Sequence, residues 1–243
     1  MLSKRNIVHA CIAIALAVAV TGIGISGSRR AADPVCHAIT IIIQDSTQRQ
    51  YVTREELQQQ LQQAGLWQVG QPLSKIYCQQ IEQTLLSHPM LRRAQCYELA
   101  NGEVRIVVSQ RRPVVLIAGD DHYYLDSDRR YMPVRASVNT KVPVVTGRIG
   151  RQQAQSEIYD FVRWLSANKF WRSRIHTIHV INPKTIELQD DSSHYTLQLG
   201  SLNGAQQRMT DLQKLYEEGF ELIGYPPYKQ IDLMYNGQII GRK

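Results

Sequence analysis

The most constraining feature of this sequence is a long apolar segment near its N-terminus, from Ile7 to Ile25. As a helix, this segment would be roughly 28 Å long, which matches the hydrocarbon core of a bilayer. It contains no Asp, Glu, Lys or Arg, and two basic residues lie on either side of it: Lys4, Arg5, Arg29 and Arg30. We therefore predict a single N-terminal transmembrane helix over residues 7–25, with a short tail over residues 1–6 before it and a folded ectodomain after it.

A cleaved signal peptide is the alternative interpretation of this segment, because a basic start, an apolar core and small residues at 26–32 also fit that class. The apolar core is longer than the ~7 to 15 residues usual in signal peptides, and two arginines are unfavourable beside a cleavage site. An uncleaved anchor is therefore favoured. The basic flanks are balanced, so only the free amino group and the shortness of the tail favour a cytoplasmic N-terminus.

The net charge of +7 first suggests a nucleic-acid partner, but its distribution argues against one. Four of the 28 basic residues and none of the 21 acidic residues lie in the first thirty positions. The rest of the chain therefore carries a net charge of only +3, without a basic stripe interleaved with aromatic residues. We expect no nucleic-acid binding.

Cysteine usage does not indicate a disulfide framework. Cys11 lies in the apolar segment, and three further cysteines follow it, which is an odd number: Cys36, Cys78 and Cys96. Cys78 falls in a helical pattern and Cys96 in the strand pattern after it, so a bridge between them and two small buried thiols both remain open.

The first part of the ectodomain, residues 36–111, has the predicted order β-α-α-β-β. A β-branched run at 38–43 predicts a strand, Thr53 and Glu56 form a capping box for a helix that ends at Gly65, and a second helix is predicted over 74–87. Two strands then flank the Asn101-Gly102 turn signal. We predict two helices on one face of a three-stranded sheet, with these core residues: Ile41, Leu57, Leu61, Ile81, Leu85, Val104 and Ile106.

The second part, residues 112–243, predicts a larger α+β domain with a mostly antiparallel sheet and two helices. Strands are predicted at 114–118, 123–126, near Val134, and at 144–145, 175–181, 185–188, 195–199 and 230–235, the last extended beyond Asn236-Gly237 to Ile240. Helices are predicted at 152–168 and 205–218, the second ending at Gly219.

Several segments, in this order behind an apolar anchor, carry a family resemblance: Tyr51-Val-Thr53, Gly70-Gln-Pro-Leu73, His88-Pro-Met-Leu91, Ser109-Gln-Arg-Arg-Pro-Val114, Tyr123-Tyr-Leu-Asp126, Val142-Pro-Val-Val-Thr-Gly147 and Ile231-Asp-Leu-Met-Tyr235. Over essentially its whole length the chain resembles the FtsQ/DivIB family of bacterial cell-division proteins, which have one membrane span, a POTRA domain and a β domain. The sequence departs from the family at Asp126-Ser-Asp-Arg129, where a glycine is usual in the turn. The resemblance implies a single-pass protein of the inner membrane at the division septum, with a cytoplasmic N-terminus and a periplasmic ectodomain.

The junction between the two domains is predicted at Arg111, Arg112 and Pro113. Proline removes a backbone donor and biases Arg112 towards extended geometry, which favours a semi-rigid elbow. An edge-strand proline without an interdomain role is the alternative.

The sequence contains little that indicates catalysis, a cofactor or a metal. Gly22 to Gly27 matches a dinucleotide-binding glycine pattern, but it lies at the end of the apolar segment and lacks a βαβ context. His176 and His179 are three residues apart on a predicted strand, so they point to opposite faces. We predict a protein that is not an enzyme and that has no cofactor, metal or small-molecule substrate.

Binding is the function that remains, and the final strand is the candidate site. A strand at a sheet edge exposes unpaired amides on which a partner strand can add. The family resemblance implies that this region recruits FtsB- and FtsL-like partners, with Tyr235 as the anchor, and that the POTRA-like module contacts other membrane components of the divisome. The predicted partner-binding residues are Ile231, Asp232, Leu233, Met234, Tyr235, Asn236, Gly237, Ile239 and Ile240.

We therefore predict a scaffold that links early and late division proteins. One alternative class is a POTRA-containing factor for polypeptide transport or outer-membrane assembly. Another is a secreted hydrolase, which would need a cleaved N-terminus and a catalytic cluster.

Overall fold

The computed structural model describes residues 33–47, 50–138, 140–235 and 237–243. The predicted tail and transmembrane helix lie outside these ranges. Within them, the helices are too short or too polar to cross a bilayer. The described strands form two sheets, one of three strands and one of nine.

The first domain has the predicted β-α-α-β-β order. Its elements are β1 (Ala38–Ile43), α1 (Arg54–Gln63), a 3₁₀ turn (Leu73–Lys75), α2 (Cys78–Leu86), β2 (Leu91–Glu98) and β3 (Glu103–Gln110). The sheet order is β1-β3-β2, with β1 parallel and β2 antiparallel to β3. All seven predicted core residues are buried, which confirms the assignment of the apolar faces.

The starts of the two helices differ in detail from the sequence prediction. Thr53 Oγ1 accepts the Glu56 amide at 3.1 Å, so the N-cap is confirmed. The Glu56 carboxylate does not return to the cap but binds His88 and Arg135. Helix α2 begins at Cys78 and not at residue 74, because Ile76 is extended and buries its side chain.

The second domain is built on the nine-stranded sheet. Its strands are β4 (Pro113–Ala118), β5 (His122–Asp126), β6 (Tyr131–Pro133), β7 (Val144–Gly147), β8 (Ile175–Asn182), β9 (Thr185–Asp190), β10 (Thr196–Gly200), β11 (Gln230–Asp232) and β12 (Ile240–Arg242). Its helices are α3 (Arg151–Gln153), which continues through a π-helical turn (Ala154–Ile158) into α4 (Tyr159–Ala167), α5 (Lys169–Arg172), and α6 (Ala205–Leu215), which continues through a second π-helical turn (Tyr216–Phe220) into α7 (Glu221–Ile223). The sheet order is β12-β11-β10-β9-β8-β7-β4-β5-β6.

This sheet is mixed: five of its eight pairings between described strands are antiparallel, as predicted for the majority, but the parallel pairings were not predicted. Three of the pairings between described strands are parallel: β4 with β7, β7 with β8, and β10 with β11. The two long helical segments connect β7 to β8 and β10 to β11, and a helical crossover is the usual way to join parallel neighbours. The helices were predicted, but their role as crossovers was not.

Two further predicted boundaries, both in the second domain, were wrong. The last helical segment continues through Gly219 in its π-helical turn and ends before Gly224, whose φ is +90°. The predicted final strand is two strands, β11 and β12, which pair antiparallel as a hairpin.

The two domains share a hydrophobic cluster. Tyr124, Met132 and Val138 of the second domain are buried together with the core of the first. Arg92 of β2 forms two hydrogen bonds with Asp128, at 2.7 and 2.8 Å. The following residue, Arg129, has a φ of +59°, in the left-handed region that explains why glycine is usual in this turn.

Candidate partner-binding surface

The C-terminal hairpin consists of one interior strand and one edge strand. Strand β11 is paired on both sides, parallel to β10 and antiparallel to β12. Ile231 and Leu233 are each 1% exposed and belong to the core of the second domain. These residues therefore support the hairpin from inside, and their side chains are not available to a partner.

Asp232 is fully buried and holds the hairpin together. Its Oδ2 accepts a hydrogen bond from Arg242 Nη2 at 2.8 Å, and its Oδ1 accepts the Met234 amide at 3.0 Å. A buried carboxylate needs such partners, because an unpaired charge in the interior is costly. These hydrogen bonds explain why an aspartate lies at position 232. Because its side chain is buried, it cannot make the predicted direct contact with a partner.

The exposed part of the predicted site begins after Leu233. Met234 is 43%, Tyr235 51% and Ile240 37% exposed. The Gln238 amide donates to the Tyr235 carbonyl at 3.2 Å, so Tyr235 begins a turn in which Gly237 has a φ of +71°. Ile239 is half-buried against the core, and Asn236 lies outside the described residues.

The two ends of the nine-stranded sheet differ. At one end, β6 contains Pro133, which cannot donate a backbone hydrogen bond, and its Met132 is buried in the cluster with the first domain. At the other end, β12 pairs only with β11 among the described strands. Both β12 and β6 are end strands with one described neighbour each, and residues 240–242 form the end strand that contains no proline.

Gly241 allows this edge strand to lie close to Tyr228. A Cβ atom at position 241 would overlap the Tyr228 ring. The Lys229 amide, next along the chain, donates to the Arg242 carbonyl at 2.9 Å. The segment before β11 thus supports one face of β12.

Sequence analysis missed an aromatic cluster beneath the hairpin. Tyr195 contacts several other aromatic rings at centroid distances of 6.4 to 6.5 Å: Tyr216, Phe220, Tyr225 and Tyr228. Its hydroxyl donates to the Pro226 carbonyl at 2.5 Å. The Tyr225-Pro-Pro-Tyr228 segment was the sequence signal, since two prolines and two aromatic residues predict a rigid connection.

A buried polar network lies at the base of this cluster. Tyr216 donates its hydroxyl to Asp190 Oδ2 at 2.9 Å, and the same oxygen accepts Ser193 Oγ at 2.6 Å. Asp190 Oδ1 accepts the amides of Ser192 and Ser193, as expected for an aspartate in a turn. Burial raises the pKa of Tyr216, so this hydroxyl stays protonated and serves as a donor.

The predicted junction residues have three different environments. Arg111 is buried and donates from Nη1 to Asp126 Oδ2 at 2.6 Å. Arg112 is exposed, and its carbonyl accepts the Ser127 amide at 2.9 Å. Pro113 is the first residue of β4 and pairs with Asp126.

A groove of about 680 Å³ lies beside this junction. Its apolar lining includes Val114, Pro143 and Ile175, and His176 also lines it. His176 Nδ1 lies 2.6 Å from Asp191 Oδ2, but among the described residues no hydroxyl or thiol is hydrogen-bonded to the imidazole. A nucleophile activated by this His-Asp pair is therefore not assembled in the part of the chain that the structure describes.

Comparison with known proteins gives two matches to family models. A POTRA-like domain matches residues 34–109, and the FtsQ/DivIB, C-terminal related domain matches residues 112–242. The comparison with curated proteins found no match. The second family match covers more than half of the sequence and all strands of the nine-stranded sheet. This chain belongs to the FtsQ/DivIB family.

Proposed function

We propose that this protein is a membrane-anchored, non-enzymatic scaffold of the divisome that recruits FtsB- and FtsL-like partners by strand addition at β12. Its family makes it a division-related protein. Beyond family membership, we propose the membrane anchor, the FtsB- and FtsL-like partners, the binding site at β12 and the link between early and late division proteins. The free edge at residues 240–242 is the observation on which the site depends.

Strand addition fits the chemistry of this edge. A partner strand would gain main-chain hydrogen bonds from β12, while selectivity would come from neighbouring side chains. Tyr235, Met234 and Ile240 expose apolar surface beside the edge. The recess next to the Tyr235 turn, lined by Arg208, Leu233 and Gln238 among others, has a volume of about 120 Å³ and is large enough for one small side chain.

The edge strand is only three residues long, so main-chain pairing alone would be weak. A membrane anchor compensates for this, because confinement to one membrane raises the effective concentration of partners that are anchored there too. The POTRA-like domain would add contacts to other membrane components of the divisome. We propose that the buried Arg111 ion pair and the Pro113 connection hold the two domains in one relative orientation.

The first experiment removes the edge strand. Residues 240–243 are removed from the full chain, whereas removal from residue 230 onwards would also take Ile231 and Leu233 out of the core. Copurification of the FtsB-like partner should be lost while membrane association is unchanged, and the unfolding temperature should fall only by the few degrees expected from losing the Asp232–Arg242 ion pair. Full copurification by the truncated chain would overturn the assignment of the site.

Tyr235→Ala and Tyr97→Ala form a matched pair of variants. Both tyrosines are exposed, at 51% and 42%, but Tyr97 lies on β2, at the edge of the small sheet. We expect Tyr235→Ala to weaken partner binding about tenfold or more, as for an interface aromatic anchor, and Tyr97→Ala to leave it unchanged. Equal effects of the two substitutions would contradict a specific site at the C-terminal hairpin.

Family membership does not favour the alternative of a transport or outer-membrane assembly factor. The POTRA-like match covers residues 34–109, and the adjoining domain matches the FtsQ/DivIB family. Recruitment of the tagged full chain to midcell in dividing cells, and its absence elsewhere in the envelope, would separate the two functions.

A further inference from the structure

Two cysteines of the POTRA-like domain are in direct contact. The thiol of Cys96 lies 3.0 Å from the sulfur of Cys78, with Cys96 as the donor. Cys78 is the first residue of α2, and Cys96 lies near the end of β2, the strand at the open edge of the small sheet. The two sulfurs need to approach by roughly 1 Å to reach the length of a disulfide bond.

A hydrogen bond between helix and strand holds the backbone next to the two cysteines. The Cys96 amide donates to Glu82 Oε1 at 2.7 Å, so α2 and β2 are connected one helical turn beyond Cys78. On the strand, Cys96 follows the buried Ala94 by two residues and therefore points to the same, helix-covered face.

We propose that Cys78 and Cys96 are a disulfide site that clamps α2 onto the open edge strand of the POTRA-like domain. The oxidant is a dithiol-disulfide exchange partner, either a protein disulfide or a small-molecule disulfide. Oxidation in the cell rests on the proposed position of the ectodomain outside the cytoplasm, where disulfides persist. The chemistry itself rests only on the contact between the two residues.

The exchange proceeds in two steps that balance. The Cys78 thiolate attacks one sulfur of the oxidant, forms a mixed disulfide and releases one thiolate, which takes up a proton. Cys96 then loses its proton to solvent, attacks the Cys78 sulfur and releases the second thiolate. Two protein thiols are oxidised, and the oxidant disulfide is reduced to two thiols.

The local environment determines the order and the rate of these steps. Burial raises the pKa of both thiols, but the hydrogen bond from Cys96 partly offsets this effect at Cys78. Glu82 and Glu98 further disfavour a thiolate at both positions. Cys78 is therefore the first nucleophile, and the exchange should be slow at neutral pH and faster as the pH rises.

The test uses the full chain in detergent, reduced and then equilibrated with glutathione mixtures of increasing oxidised fraction. After acid quenching, peptides are mapped by mass spectrometry without reduction. We expect a linked Cys78–Cys96 peptide, with Cys36 recovered as a free thiol because it is fully buried. Recovery of Cys78 and Cys96 as free thiols at the most oxidising mixture, or their linkage to other cysteines, would overturn the proposal.

A second measurement reports the structural effect. Oxidation should raise the unfolding temperature of the POTRA-like domain by roughly 10 °C, because the bond closes a loop of roughly 20 residues in the unfolded chain. The same treatment should not change the unfolding temperature of the Cys78→Ser or Cys96→Ser variant. Each variant is compared only with its own reduced form, so any loss of stability from the substitution cancels. Partner binding is not part of either readout, so failure here is distinct from failure of the proposed scaffold function.

Discussion

Arg242, next to the last residue, forms an ion pair with the fully buried Asp232 across the C-terminal hairpin, with 2.8 Å between Nη2 and Oδ2. The pair connects the edge strand to the strand inside it. Its carboxylate lies in the interior, whereas the arginine side chain is 54% exposed, so solvent screens part of the interaction.

We expect Arg242→Ala to loosen the edge strand without unfolding the domain. Arg242 is 54% exposed and solvent screens its charge, so the cost in free energy of unfolding should be about 1 kcal/mol. Hydrogen exchange should become faster at the amides of residues 240–242, and partner binding should weaken. Lys243→Ala is the control, since Lys243 is the exposed neighbour, and equal exchange rates in the two variants would contradict a role for the ion pair.

The domain junction permits a sharper comparison between adjacent arginines. Arg111→Ala would leave the buried Asp126 carboxylate without its cation, and breaking such a pair costs about 3 kcal/mol in free energy of unfolding. Arg112→Ala changes an exposed side chain and should cost less than about 0.5 kcal/mol. Denaturant unfolding of both variants measures the difference, and similar midpoints would show that Arg111 does not stabilise the junction.

Gly147 closes the motif Val142-Pro-Val-Val-Thr-Gly147, and its backbone explains the residue type. Its φ is +99°, and a Cβ atom there would overlap the Val180 carbonyl of β8. Gly147→Ala should therefore destabilise the second domain by about 3 kcal/mol, through a disturbed β7–β8 pairing. Gly150→Ala is a matched control, because Gly150 has a negative φ and open space around its Cα. Equal thermal stability of the two variants would refute this explanation.

Local patterns predicted most of the first domain correctly, because short-range chemistry determines it. The capping threonine, the Asn101-Gly102 turn and the alternation of Val104 and Ile106 all act within a few residues. The fold class, the element order and the buried faces followed from them.

The pairing of strands that are distant in the sequence was harder to predict. The position of β11 between two neighbours depends on where the chain returns after α7, and a three-residue strand has too few residues for a clear alternation pattern. Glu56 illustrates the same limit in the first domain, since the sequence predicts a capping box but the carboxylate binds Arg135 of the other domain at 3.0 Å. The partner contacts of Tyr235 and Ile240 stay predictions.

Glu56 makes the interface between the domains sensitive to acid. Burial disfavours its charged form, but hydrogen bonds from His88 and Arg135 outweigh that effect and lower the pKa of Glu56 below its ordinary value. A lowered pKa in the folded state means that ionised Glu56 stabilises the fold above the ordinary pKa and that this contribution is lost as the pH falls through the lowered value.

The unchanged protein should therefore be more stable than Glu56→Gln at neutral pH, and the difference should shrink as the pH falls below the ordinary pKa of a glutamate and disappear below the lowered pKa of Glu56. Glu55→Gln is the control, because Glu55 is exposed, carries the same charge and lies one residue away in the same helical turn. Denaturant unfolding of the three proteins between neutral and acidic pH measures the effect. A stability difference between the unchanged protein and Glu56→Gln that persisted at acidic pH would mean that the glutamine side chain destabilises the fold for another reason. The His88-Glu56-Arg135 contact would then not be the acid-sensitive connection between the domains.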